Sequence, residues 1–220
     1  MKKIIPLAEA VEKIPDGASL LIGGFMAVGT PDRVIDELIR QGKKDLTVIA
    51  NDTARPNQGI GKLIVAKRVA RVISTHIGLN PETQKQMIEG DIQVELCPQG
   101  SLAERIRAAG FGLGGVLTPT GVGTVVEEGK RTVEVDGRTF LLETPVKADF
   151  ALIKAKQADY YGNLAYALTA RNFNPVMAMA AETVIVEADD IVPLGVIPPD
   201  AVVTPSVLVD YVVAQEKRNG

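Results

Sequence analysis

Residues 16–31 constrain this chain more than any other stretch. An Asp16-Gly17 turn leads into a short apolar run, residues 18–22, and then into Gly23-Gly24-Phe25-Met26-Ala27-Val28-Gly29-Thr30-Pro31. An apolar run of this length behind a turn reads as a buried strand. Beyond Pro31 the spacing becomes helical, with Val34, Ile35, Leu38 and Ile39 on one face. Thr30 is placed to cap that helix, Pro31 sits where a missing N–H costs nothing, and Gly42 stops it. A glycine loop delivered onto a helix N-terminus lets a ligand approach the backbone. It also offers N–H groups and the positive end of a dipole, which suits an anion or a developing oxyanion. Glycine loops also serve as plain tight connections in α/β proteins, so the loop type by itself leaves both readings open.

The rest of the chain repeats the strand–helix rhythm. A short helix over residues 7–13 precedes the first strand. Strands follow at 45–50, 69–74 and 92–97, separated by helices at 59–68 and, behind an Asn80 cap, at 81–89. Consecutive strand, helix and strand form right-handed βαβ units, so the expected fold is α/β. A mostly parallel open sheet should carry helices on both faces. Ser101 is placed to cap a helix over 102–109. Residues 110–124 are rich in Gly and Thr without apolar periodicity, which suggests an ordered functional loop or a flexible one. Asp136-Gly137 between residues 131–135 and 138–142 signals a hairpin with a type I′ turn, an antiparallel appendage to the sheet. Further strands are expected at 149–154 and 183–187. A helix should open at Asn174-Pro175 and run to about residue 181. A last helix is expected near Pro205-Ser206, with Val207, Leu208, Tyr211 and Val212 on its apolar face and a solvated charged tail at Glu216-Lys217-Arg218.

Composition narrows the function classes. At 220 residues, with Gly and Pro dispersed, residues 1–220 read as a single domain. The net charge of −3 provides no general basic surface for nucleic acid. No stretch approaches the roughly 18 apolar residues of a membrane span, and Pro6, Glu9 and Glu12 interrupt any signal-peptide core behind Lys2-Lys3. A single cysteine, Cys97, excludes an internal disulfide and a Cys-clustered metal site and fits a reducing cytoplasm.

Three groups follow the carboxyl ends of expected parallel strands and should line one rim: the glycine loop, Asn51-Asp52-Thr53, and Gln99 in Pro98-Gln99-Gly100. Asn51 and Gln99 are neutral amides able to donate to a thioester carbonyl or a carboxylate. Singly, each also suits a turn-holding role. His76, alone after a strand, reads as a hydrogen-bonded structural histidine, and Cys97 as a small buried filler with no cluster of cations nearby. Arg33, Arg55, Lys62, Lys67, Arg68 and Arg71 are available to phosphates.

The pattern Asp-Gly, two residues, three apolar, then Gly-Gly-Phe-x-x-x-Gly-x-Pro resembles the α-chain signature of the class I coenzyme A transferases at every specified position of residues 16–31. Similarity extends over most of the chain, including Thr118 to Lys130, Gly162-Asn163-Leu164 and Ala170-Arg171-Asn172-Phe173-Asn174-Pro175. Within the family it is similar to the acetate, butyrate and acetoacetate subgroup. The resemblance implies that Gly24, Phe25, Met26, Ala27, Val28, Gly29 and Thr30 contribute to binding coenzyme A, and that Asn51 and Gln99 border the active site as oxyanion or substrate contacts. It further implies transfer of CoA between a short-chain acyl-CoA and a carboxylic acid, without metal, through a glutamyl-CoA thioester.

The family's nucleophilic glutamate lies in Ser-Glu-Asn-Gly, which this chain lacks. Glu127 and Glu128 have different neighbours and sit before a hairpin, where glutamates are usually solvated. The resemblance thus implies that the nucleophile belongs to a β subunit, in an α2β2 assembly in the cytoplasm. Two rivals remain at this point. One is an NAD(P)-binding Rossmann-type oxidoreductase using Asp52 for a ribose, although Gly23-Gly24-x-x-x-x-Gly29 is not Gly-x-Gly-x-x-Gly. The other is a non-catalytic module that senses CoA esters.

Overall fold

In a computed structural model, residues 3–213 are described. The elements alternate as the periodicities require: α1 (Leu7–Glu12), β1 (Ser19–Ile22), α2 (Asp32–Arg40), β2 (Leu46–Asp52), α3 (Gly61–Val65), β3 (Val69–His76), α4 (Pro81–Glu89), β4 (Gln93–Leu96) and α5 (Gln99–Gly110). Three short strands follow, β5 (Val116–Thr118), β6 (Thr132–Val135) and β7 (Arg138–Glu143). The chain then returns through β8 (Ala148–Asp159), β9 (Leu164–Ala165), α6 (Asn174–Met177), β10 (Ala181–Val192) and β11 (Tyr211–Val213).

The main sheet runs β11-β10-β8-β1-β2-β3-β4, with every neighbour in that order parallel and β9 antiparallel on β8. From β1 the chain steps outward to β4, then comes back to fill the other side of β1. The strand order therefore reverses between β1 and β8, the crevice where open α/β sheets bind ligands at the carboxyl ends of their strands. Both faces are covered. Leu20, Ile22, Val48 and Leu152 pack with Val11, Val34, Ile35, Leu38 and Leu63 from α1, α2 and α3. Leu21, Ile49, Ala151 and Ile153 pack with Leu102, Ile106 and Met177 from α5 and α6. Adjacent residues of one strand feed opposite cores, the period-two alternation of a strand buried on both faces. The second, antiparallel sheet has the order β5-β7-β6, and Asp136 and Gly137 both take positive φ in its hairpin turn, as type I′ demands.

Several expectations shift. Residues 116–118 of the Gly/Thr-rich segment pair with β7, so the segment is partly built into the small sheet. The α6 helix stops at Met177 because β10 begins at Ala181, pairing with Ala148 of β8. The last expected helix is absent: residues 206–208 form one 3₁₀ turn, and Tyr211, Val212 and Val213 add a parallel strand beside Ile185, Val186 and Glu187. An apolar run as short as Val-Leu-Val-Asp-Tyr-Val-Val satisfies either period, and the open edge of β10 decides it. Glu216-Lys217-Arg218 lie outside the described residues.

Candidate functional site

The glycine loop is a miniature hairpin. Phe25 and Val28 exchange both backbone hydrogen bonds, at 3.0 and 2.9 Å, and the central Met26 and Ala27 take φ of 51° and 66°. A two-residue turn with positive φ at both positions normally uses Asn-Gly. Met and Ala here cost about 1–2 kcal/mol each in the left-handed region, so neighbouring groups must hold the turn. Phe25 and Val28 remain exposed at its tip.

The glycines make room for protein. A Cβ on Gly24 would lie 1.9 Å from Thr30 Oγ1, one on Gly23 1.9 Å from Asn174 Oδ1, and one on Gly29 2.4 Å from the Ala170 carbonyl oxygen. Substitution at Gly24 or Gly29 would therefore strike the chain's own fold before it met a ligand. The partners are the asparagines of Arg171-Asn172-Phe173-Asn174. Asn172 accepts from Gly24 N–H at 3.1 Å and donates to the Val28 carbonyl at 2.9 Å, and Asn174 donates to the Gly29 carbonyl at 2.9 Å.

The helix N-terminus is not open to an anion. The N-cap is Pro31, and Thr30, although buried, makes no capping bond. Instead Glu187 Oε2, reaching from β10, accepts from the N–H groups of Arg33 at 2.9 Å and Val34 at 3.1 Å. Glu187 is 1% exposed and is paired with Lys154 at 3.1 Å and Arg33 at 3.4 Å. Burial alone would lower the Lys154 ammonium pKa, but Glu187 and Asp189 outweigh it and the net shift is upward. The chain thus supplies its own carboxylate where an external anion was expected.

Asn51 and Gln99 do come together. Gln99 Nε2 donates to Asn51 Oδ1 at 2.5 Å, Asn51 Nδ2 donates to Asp52 Oδ2 at 2.7 Å, and the same oxygen accepts from Met26 N–H at 2.8 Å. Asp52 Oδ1 takes the Ala54 N–H at 2.8 Å. The rim of three strands is therefore one connected chain of polar groups. Asn51 is buried, whereas Gln99, in the first turn of α5 behind a Pro98 N-cap, faces outward. Ser101 does not cap that helix: it is the third residue of it, buried, with its hydroxyl unpaired among the described residues.

Gln99 and Phe25 open onto a cleft of about 630 Å³ that also takes in Arg107, Arg171, Phe173 and Met179. Its wall past α6 is the 203–208 segment, where the Tyr166 hydroxyl meets Thr204 Oγ1 at 2.7 Å. Burial pushes the Tyr166 phenol up to about 12. None of the six cations singled out in the sequence lines this cleft. Arg33 is paired with Glu187, Lys62 with Asp32 and Asp36, Lys67 with Asp91 and Arg71 with Glu95; the cleft's own cations are Arg107, which is paired with Glu104 at 3.1 Å, and Arg171. Arg171 was legible only as part of the motif it stands in. Arg107 carries no sequence signal beyond its helix.

Other candidates lie elsewhere. Glu127 Oε2 accepts its own loop's Gly123 N–H at 2.6 Å and Glu128 is exposed, neither at the cleft. His76 is exposed at the end of β3, its ring over Gly78. Cys97 is buried as expected, but a cation does stand beside it, with Arg105 Nη1 3.7 Å from the sulfur. Burial outweighs Arg105 and raises the thiol pKa, which keeps it unreactive.

A sequence model of the family described as "Coenzyme A transferase" matches residues 4–215. Over 215 residues, 98% of each chain, the sequence is 52% identical to the alpha subunit of acetate CoA-transferase from Escherichia coli K12. The chain belongs to the coenzyme A transferase family. It is also 48% identical, over 97% of this chain and 98% of the relative, to the acetoacetyl-CoA:acetate/butyrate CoA transferase alpha subunit of Clostridium acetobutylicum. An acyl-CoA transferase structure from E. coli O157:H7, a thioester complex with CoA, superposes at a TM-score of 0.85 with 24% identity. That match covers 99% of this chain and 48% of the other, so the chain spans about half of that structure, and the likeness carries the fold. Coenzyme A is thus the substrate of this family member, of the type named alpha among its relatives. A dinucleotide site is disfavoured both by the family and by Asp52, whose two oxygens already take three donors. Among the described residues, no helix is long and apolar enough to cross a membrane.

Proposed function

We propose that this chain is the α subunit of a short-chain acyl-CoA:carboxylate CoA-transferase whose nucleophilic glutamate is supplied by a β subunit, in an α2β2 assembly. The observation that carries the reading is the composition of the cleft. Gln99 and two arginines meet an apolar wall, and no Asp or Glu is among the described residues lining it. Such a site can bind a thioester and an acid but holds no carboxylate to attack with.

In the proposed cycle the partner's glutamate attacks the thioester carbonyl and CoA leaves as a thiolate, giving an acyl-glutamyl anhydride. The thiolate then adds to the glutamyl carbonyl and expels the first acid. The acceptor carboxylate repeats the two steps in reverse and frees the glutamate. Each step exchanges one acyl bond for another of similar energy, so neither metal nor ATP is required. Gln99 Nε2 has a second N–H beyond its bond to Asn51, and its role is to donate that N–H to the developing oxyanion. Arg107 and Arg171 attract the carboxylate or a CoA phosphate, and Phe25, Phe173 and Met179 keep water from the anhydride. The loop residues 24–30 border the CoA path.

The test is transfer of CoA from acetyl-CoA to acetoacetate or butyrate. It is run with the purified chain, with its candidate β subunit, and with the mixture. Activity confined to the mixture supports the composite site. Activity from this chain alone refutes a nucleophile in trans. Absence of transfer in a correctly assembled mixture refutes the function.

A further inference from the structure

Asp52 takes no place in the cycle above, yet the polar chain at the rim converges on it. Three donors point at its two oxygens: Met26 N–H and Asn51 Nδ2 at Oδ2, and Ala54 N–H at Oδ1. Met26 and Ala54, like Ala27, are non-glycine residues in the left-handed region, with φ of 51°, 50° and 66°. One carboxylate thus ties down both the strained turn that carries Phe25 and the strained exit from β2.

The same carboxylate decides which way two amides face. Ionised, it has acceptors and no donor, so Asn51 must turn Nδ2 toward it. Asn51 Oδ1 is then left facing Gln99, and Gln99 must answer with Nε2, the bond found at 2.5 Å. If residue 52 carried an amide instead, its NH₂ would oppose either the Ala54 N–H or the Met26 N–H. The chain could then relax by reversing Asn51 and presenting Gln99 Oε1 inward, which would exchange the places of the Gln99 oxygen and nitrogen and displace the N–H assigned to the oxyanion from the position it holds beside Asn51. Asp-to-Asn, nearly isosteric, is therefore not conservative here.

We infer that Asp52 is a positioning residue for CoA transfer, fixing through Asn51 the face that Gln99 presents to the cleft and holding through Met26 N–H the turn that carries Phe25. The inference rests on Gln99 serving the reaction as proposed above.

The experiment is a double-mutant cycle on the α/β complex, using Asp52→Asn and Gln99→Ala, with kcat and the KM for acetyl-CoA measured separately. Asp52→Asn should lower kcat by about 100-fold, the scale of loss when a catalytic group is misplaced by about an ångström, with KM altered far less. In the Gln99→Ala background the same substitution should cost little more, because there is no amide left to misdirect. Full activity of Asp52→Asn overturns the inference, and so does an equal loss in both backgrounds, which would mark a general structural defect. A wild-type complex inactive in CoA transfer would instead refute the proposed function. A second reading needs no variant and no activity: in the wild-type full chain, hydrogen exchange at the Met26 amide should be slower than at the Ala27 amide beside it. Equal exchange would remove the Asp52 anchor from the turn, and this comparison stands even if Asp52→Asn does not fold.

Discussion

Replacing Glu187 by alanine tests whether α2 is held by a carboxylate donated from the far side of the switch point. The variant removes the acceptor of two helix N–H groups, from half-buried Arg33 and buried Val34, beside a carboxylate that is itself 1% exposed. Losing a helix cap costs about 1 kcal/mol, and each buried donor left unpaired costs roughly 1–3 kcal/mol. Stranding one member of a fully buried ion pair costs about 3–5 kcal/mol, more than applies here. Lys154 keeps Asp189 at 3.0 Å, and the Lys154 and Arg33 side chains are 27% and 28% exposed. The net expectation is about 3 kcal/mol, which at roughly 2–4 °C per kcal/mol for a chain of this size lowers Tm by about 9 °C. Urea unfolding at pH 7 measures it, with m unchanged if the denatured state is the same. Glu187→Gln should lose about half as much, since its carbonyl can still accept from the helix while its NH₂ opposes Lys154 and Arg33. The empty N-terminus of the alanine variant should also become an anion site, so sulfate should restore part of its stability beyond matched chloride. A loss below about 1 kcal/mol, or no difference between sulfate and chloride, would refute the capping argument.

The glycines make separable predictions. Gly29→Ala should destabilise by more than 2 kcal/mol, roughly, since its Cβ meets the Ala170 carbonyl oxygen at 2.4 Å, whereas Gly42→Ala, equally left-handed but with open space around it, should lose only about 1 kcal/mol. Equal Tm values for the two would remove close packing as the reason for Gly29. Gln99→Ala should lower kcat of the α/β complex more than it raises KM, and an unchanged kcat would return Gln99 to a structural role. The Tyr166 phenol, held up to about 12 by burial, should be last of the four tyrosines to give a phenolate absorbance on alkaline titration of the folded chain. Its folded pKa lies above the ordinary value of 10.0, so its contribution to stability is complete below pH 10 and is lost as pH rises toward about 12. Tyr166→Phe should remove both the late-titrating signal and that part of the alkaline loss.

Local rules were enough for much of this molecule. The apolar run before Gly23, the helical spacing after Pro31, the Asn80 cap and the Asp136-Gly137 turn each state their structure within a few residues, and the alternation of strands and helices implies a parallel sheet. Local signals also placed Asn51 and Gln99 on one rim, because parallel strands deliver their carboxyl ends together. The motif resemblance located the asparagines of residues 170–175, but not what they do.

Tertiary structure decided the rest, through contacts between residues far apart in sequence. Glu187 caps α2 from more than 150 positions away, so a Thr30 cap is displaced by a group that no window around Thr30 contains. The final apolar run became β11 because an open edge of β10 was there to pair with it. Asn174 occupies the space that Gly23 leaves, and Ala170 with Asn172 the space at Gly29, so those two glycines answer to a segment more than 140 positions further along the chain, whereas Gly24 makes room for Thr30. Which cations face the cleft was likewise settled by the fold: Lys62 and Lys67 are taken by acids on the neighbouring α2 and the α4–β4 turn, while Arg171 is carried to the cleft by the loop after β9. Sequence determines such elements wherever the partners are near neighbours along the chain. Where a carboxylate, an amide or a sheet edge must arrive from elsewhere, only the assembled fold determines what each residue meets.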